Sequence, residues 1–141
     1  MREILFKAKR KDNGEWVEGY YCKTTIGNDV RPSDVIFVPF KVSRNEEWGW
    51  MKVDSDTLCQ YTGLVDKNGQ KIWENDIVNR TDLHVVSEPS IGFIEYDLEN
   101  TSFLIHWTNK VEYSPTYHWK DKLQVIGNIF DNAELLEVEA R

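Results

Sequence analysis

The sequence predicts a mainly β protein: an N-terminal β-hairpin unit, a C-terminal meander or small barrel, and one short helix at the end. Three observations carry this. Apolar and polar residues alternate with a period of two through many short segments of the 141-residue chain. Turn-forming residues, Asn-Gly pairs above all, punctuate those segments. Only "DNAELLEVEA", near the C-terminus, joins helical spacing to a capping residue.

Taken in order, Ile4, Phe6 and Ala8 alternate with Leu5, Lys7 and Lys9, and Asn13-Gly14 tolerates the positive φ of a tight hairpin turn. The chain returns through Trp16, Val17, Tyr20 and Tyr21, aromatic and β-branched types suited to a strand. "TTIGNDVRPSD" reads as loop, and "VIFVPF" as a short buried strand kept near an edge or bulge by Pro39. "SRNEEWGWM" is a polar tip, and "DSDTL" one helical turn capped by Asp54 or Ser55.

The stretch "QYTGLVDKNGQKIWENDIV" (60–78) holds two turns between three apolar segments. Gly63 permits a sharp change of direction. Asn68 and Gly69 stand where a left-handed backbone is wanted, and Asn75 opens a second such turn ahead of Asp76. These residues serve as structural turn positions, because folding alone accounts for every residue type present. Further on, "SIGFIEYD", "SFLIHW", "VEY", "TYHW" and "LQVIGNIF" form a meander, with Phe103, Ile105 and Trp107 on one face and Leu104 and His106 on the other. "RTDLHVVSEPS" (80–90) reads as an insertion between strands. In the terminal helix Asp131 or Asn132 caps, Glu134 sits in the first turn, and Leu135, Leu136 and Val138 face inward. The expected division is 1–59, an N-terminal β unit with an aromatic loop, and 60–141, the barrel and helix, together one compact two-part domain.

Composition narrows function by exclusion. Hydrophobic content of 40% with 29% charged residues describes a folded chain rather than a disordered one. The 24 acidic against 17 basic residues give a net charge of −7, which opposes a general phosphate-binding role and serves solubility. No apolar run approaches the roughly 18 residues that span a bilayer, and the N-terminus lacks the apolar stretch of a signal peptide, so a cytoplasmic protein without a membrane partner is expected. Cys22 and Cys59 then read as free thiols, Cys59 as a small buried apolar residue.

No residues are singled out as catalytic, cofactor-binding or metal-binding. His84, His106 and His118 lack HxH or HExxH spacing, although His106 and His118 each precede a Trp and are placed to meet across strands. No GxSxG occurs, and neither cysteine has a histidine nearby in sequence. Asp66, Glu74 and Asp76 fall in turns, where acids bond local backbone. An enzyme is not expected.

The aromatic content is what remains: six Trp, six Tyr and six Phe, more than a core of this size needs. Trp48 and Trp50 lie in a polar segment just after the apolar strand holding Val35 and Phe37. These four residues form the candidate protein-contact site, because exposed aromatics anchor interfaces. A homo-oligomer, most simply a dimer joined through residues 35–50, is the expectation, with a host or phage protein as the other partner. Nucleic acid is the weaker alternative, supported only by "KAKRK" (7–11).

Three separated blocks together resemble the YopX family of phage and prophage proteins. They are "REILFKA" followed by Trp16 and "EGYY", then "QYTGLVDKNGQKIWENDIV", and "LQVIGNIFDNAELL". The blocks cover about a third of the chain, and the second is the specific one. Asn75 stands where the family usually has Gly, and Lys9 where it usually has Trp. The resemblance implies an SH3-like barrel in the C-terminal part and a bacterial cytoplasm during infection or lysogeny. It brings no activity, cofactor or catalytic residue.

Overall fold

The computed structural model of the chain describes residues 2–38, 49–81, 91–108, 113–115 and 120–137. It is mainly β, with antiparallel strands throughout and one short C-terminal helix. The chain divides into two compact units, Met1–Tyr61 and Thr62–Arg141, and strand β5 (Cys59–Val65) runs from the first into the second.

In the first unit β1 (Phe6–Lys9) pairs with β2 (Trp16–Thr24), β2 with β3 (Ser33–Phe37), and β3 with β4 (Trp50–Lys52). The start of β5 lies on the other side of β1, matching Phe6 to Gln60 and Lys7 to Cys59. The β1–β2 turn has Gly14 at φ 74°, but Asn13 keeps a negative φ. Its side-chain oxygen instead accepts the Glu15 amide at 2.9 Å, so this is a longer loop than a two-residue hairpin and only its last residue must be left-handed.

The sheet curls until the end of β4 meets the end of β1. Arg10 bridges Val53, the Lys11 amide donates to the Lys52 carbonyl at 3.0 Å, and the Asp54 amide donates to the Lys9 carbonyl at 2.8 Å. A 3-10 turn at Ser55–Thr57, capped by Asp54, locks this closure: the Thr57 hydroxyl accepts the Lys9 amide at 2.9 Å and donates to the Asp54 carbonyl. Ala8, Ile36 and Val53 form the buried centre, with Phe6, Val17 and Leu58 packed on it.

The second unit holds β6 (Lys71–Trp73), β7 (Asp76–Arg80), β8 (Ile91–Asp97), β9 (Ser102–Trp107), β10 (Tyr113–Pro115), β11 (Leu123–Asn128) and α1 (Glu134–Glu137). Its main sheet has the order β10-β9-β8-β7-β11, so the last strand returns beside the first. The barrel expected here is not closed by the pairings among the described residues. Ile72, Val78, Ile94, Ile105, Trp107 and Leu123 make the core, with Phe103 against it, as the alternation in "SFLIHW" requires.

Among the described residues the helix runs over Glu134–Glu137. One turn is described, and Leu135 and Leu136 are half-buried, whereas Val138 lies outside the described residues. Asn132 Oδ1 accepts the Asn128 amide at 3.2 Å, so that side chain ties the helix approach back to β11. Among the described residues no helix is long and apolar enough to cross a membrane.

Candidate functional site

The 60–78 stretch is built from backbone specials and two buried carboxylates. Gly63 has φ 87°, a value β-carbons oppose, and it interrupts β5 without ending it. Thr62 braces that kink, its hydroxyl donating to the Ile72 carbonyl at 2.7 Å and accepting the Leu64 amide at 3.2 Å. At the next turn Gly69 has φ 81°, while Asn68 is not left-handed. The expectation for Asn68 is corrected for a local reason. Asp66 Oδ1 takes the Asn68 amide at 2.8 Å and the Gln70 amide at 3.0 Å, which sets one residue rather than two in the left-handed region. Asn75, at φ 71°, adopts the conformation its type allows. Its amide donates to Ile94 and its carbonyl accepts from Ile129, which fastens the turn to both β8 and the end of β11.

Asp66 and Asp76 are 4% and 2% exposed. Asp66 Oδ2 reaches across the fold to the Val125 amide at 2.9 Å, next to the point where β11 slips register between Val125 and Gly127. Asp76 Oδ2 accepts the Trp73 amide at 2.8 Å. Asp66, with three main-chain amides on its two oxygens, is a structural ligand of the backbone, and Asp76 holds one such amide. His106 has its Nδ1 3.3 Å from Glu95 Oε2 and its ring against Phe93. His84 and His118 lie outside the described residues. Cys59 is buried and donates to the Thr57 carbonyl, and Cys22 is exposed.

The first unit carries the surface feature. Tyr20 is directly opposite Phe37 across β2–β3, and Phe37 directly opposite Trp50 across β3–β4. Directly opposed residues share a face, so the three rings form one row over three adjacent strands. They are 54%, 39% and 37% exposed. Gly19 lies behind the row, where a β-carbon would come within 2.1 Å of the Phe37 carbonyl oxygen. That close approach is why no side chain stands there.

Two of the four expected contact residues, Phe37 and Trp50, are thus brought together, and Trp48 lies outside the described residues. Val35 is fully buried and offers no surface, a correction to its place in the candidate site. In register it lies between Cys22 and Lys52, and Lys52 is held toward the β2–β3 loop by an ion pair to Asp29 at 2.9 Å. Tyr20 is the residue that reading along the chain misses. Its signal is the parity of β2: counting by twos from Trp16 places Glu18, Tyr20 and Cys22 on one face and Tyr21 on the other. Tyr21 accordingly packs on Phe6 and donates its hydroxyl to Asp34, which pushes the Tyr21 pKa up to about 12, with burial adding to the shift.

The same outer face continues onto β1. Lys9 is opposite Trp16 and Lys7 opposite Glu18, and the two ammonium groups lie 4.8 Å (Lys7) and 5.5 Å (Lys9) from the Trp16 ring. A cation over an indole face is a favourable contact, worth about 0.5–1 kcal/mol where exposed.

Fold and surface together define a class: a two-unit, mainly β protein whose first sheet presents an open aromatic face. The chain belongs to the YopX protein family, which matches residues 5–137. It is similar to the crystal structure of protein EF1440 from Enterococcus faecalis, with a TM-score of 0.56 and 23% identity over 96% of this chain and 99% of that one. At that identity the likeness speaks for the fold alone. No curated protein matches.

Proposed function

We propose that this is a phage- or prophage-encoded accessory protein of the bacterial cytoplasm that acts by non-covalent protein contact, including self-association, rather than by catalysis. The row Tyr20–Phe37–Trp50 carries the reading. Three large rings held side by side in water are unfavourable unless something docks on them, and a sheet fixes their positions before any partner arrives. The turn carboxylates support the same side, since Asp66 and Asp76 already serve backbone amides. An SH3-like description of the second unit is part of the proposal, supported by the return of β11 beside β7.

Co-purification with tagged protein from infected cells tests the contact surface. Phe37→Ala with Trp50→Ala should remove a specific partner while circular dichroism and a cooperative urea transition show that the variant still folds. A partner retained by that variant would overturn the assignment of the surface. One observation favours a second reading, nucleic-acid binding: Lys7 and Lys9 stand over Trp16 on this same face. Oligonucleotide binding that collapses between low and moderate salt would favour it.

A further inference from the structure

We infer that the partner on this face is a second copy of the chain, joined through a two-fold axis that runs parallel to the strands between β2 and β3. The inference rests on the reading of the row as a contact surface and names its occupant. Tyr20 and Phe37 are the pair directly opposed across those two strands. Turning a copy over about that line lays Tyr20 of each chain on Phe37 of the other, and the contact is made twice. Such a patch is its own complement, the condition for a closed symmetric dimer.

Charge argues for the same occupant. The row itself is uncharged, so its burial desolvates no ion, and the charged groups of the described face lie around it: Glu18 and Lys7 beyond Tyr20, Lys9 beside Trp16, and Lys52 already paired with Asp29. An apolar centre with a polar rim is the anatomy of a protein interface. A polyanion would approach a chain of net charge −7 with three lysines on this face, Lys52 already paired with Asp29 and Glu18 directly opposite Lys7.

Area then fixes the strength. A buried aromatic ring brings about 150–250 Å², so three rings at the observed exposures bring roughly 200–350 Å² per chain. A standard stable interface uses about 800 Å² per partner. The dimer is therefore weak and concentration-dependent. Because each chain is acidic, it tightens as salt screens the repulsion between copies, the opposite sign from nucleic-acid binding.

A pair of variants tests the geometry. Tyr20→Lys and Phe37→Glu alter two exposed side chains, and each alone sets a charge against a ring in both halves of the contact. Sedimentation of the full-length chain over roughly 10–500 µM, a range that spans weak association, should show wild type associating. Each variant alone should be weakened, Phe37→Glu more than tenfold and Tyr20→Lys less, because a lysine over the Phe37 ring keeps a cation–π contact. An equimolar mixture should recover a one-to-one dimer, because Lys at 20 then meets Glu at 37 of the other chain while the second half stays native. No effect within one chain produces recovery on mixing, and circular dichroism of each variant checks folding. Wild type that stays monomeric, variants that associate like wild type, or a mixture that fails to recover would each overturn the dimer. Weakening by salt would do so too. If the dimer fails while Phe37→Ala with Trp50→Ala still strips a partner in co-purification, the contact surface stands and only its occupant changes.

Discussion

In the first unit the sheet is fastened by main-chain bonds between the ends of β1 and β4. Arg10 meets Val53, Lys11 meets Lys52, and the buried polar group at that junction among the described residues is the uncharged Thr57. In the second unit the same task falls to carboxylates, with Asp66 joining the 66–70 turn to β11 and Asp76 holding Trp73. The difference follows from what each strand end faces. A curled sheet brings donors and acceptors together in pairs. A tight turn set against a slipped strand leaves several amides pointing at one spot, and an acceptor-only group with two oxygens satisfies them. Curling turns one face of the first sheet outward, and its aromatic residues go with it.

The sharpest way to break this comparison is Asp66→Ala. Three backbone amides lose a charged acceptor in a buried place, so the expected loss is about 3–5 kcal/mol in urea unfolding. A loss under about 1 kcal/mol would mean that water replaces the carboxylate and that the second unit does not depend on it. Next comes Gly19→Ala in the first unit. Its β-carbon would meet the Phe37 carbonyl oxygen at 2.1 Å and Ile36 Cγ2 at 2.8 Å, so β3 must shift away from β2 at roughly 2–3 kcal/mol. The matched change in the second unit, Gly92→Ala, meets its first atoms only at 2.8–3.0 Å and should cost less. If Gly92→Ala proves the costlier, the close β2–β3 approach is not the tighter constraint.

A smaller effect is expected at Gly69. Nothing lies within 4 Å of a β-carbon there, so Gly69→Val tests backbone strain alone at φ 81°, about 1–3 kcal/mol. An unchanged melt would show that the 66–70 turn relaxes freely.

The smallest effect concerns pH and the first unit. The Tyr21 hydroxyl is held up to about 12 from an ordinary 10.0, chiefly by its hydrogen bond to Asp34. Since the folded value is raised, the contribution is complete below about pH 10 and is lost as pH rises through about 12. Tyr21→Phe should cost about 1 kcal/mol or less at neutral pH. Wild type and variant should then converge across pH 10–12. Curves that stay parallel through that window would remove the Tyr21–Asp34 bond from the account.

The turns were legible in the sequence because a turn is decided within four residues. Gly14, Gly69 and Asn75 are left-handed where their types allow it, and Asp54 caps the turn that follows. Legibility failed where two candidates compete for one conformation. Asn13 and Asn68 both precede a glycine, and in each case hydrogen bonds formed within the turn leave only the glycine left-handed. It failed again at Val35, whose parity places it beside Phe37 while its burial depends on neighbours that sequence distance conceals.

The sequence by itself therefore determined the strand-rich class, the placement of its turns and its membership of the YopX family, because period-two alternation and φ preference are local properties of the chain. Tertiary structure decided which acid is buried: Asp66 reaches Val125, 59 positions away, and no local pattern distinguishes it from a half-buried aspartate at a turn such as Asp97. Tertiary structure also decided that Tyr20, Phe37 and Trp50 stand in one row. Each residue's own strand fixes only its parity. The register between strands, set by turns and packing far from the rings, turns three separate parities into a surface.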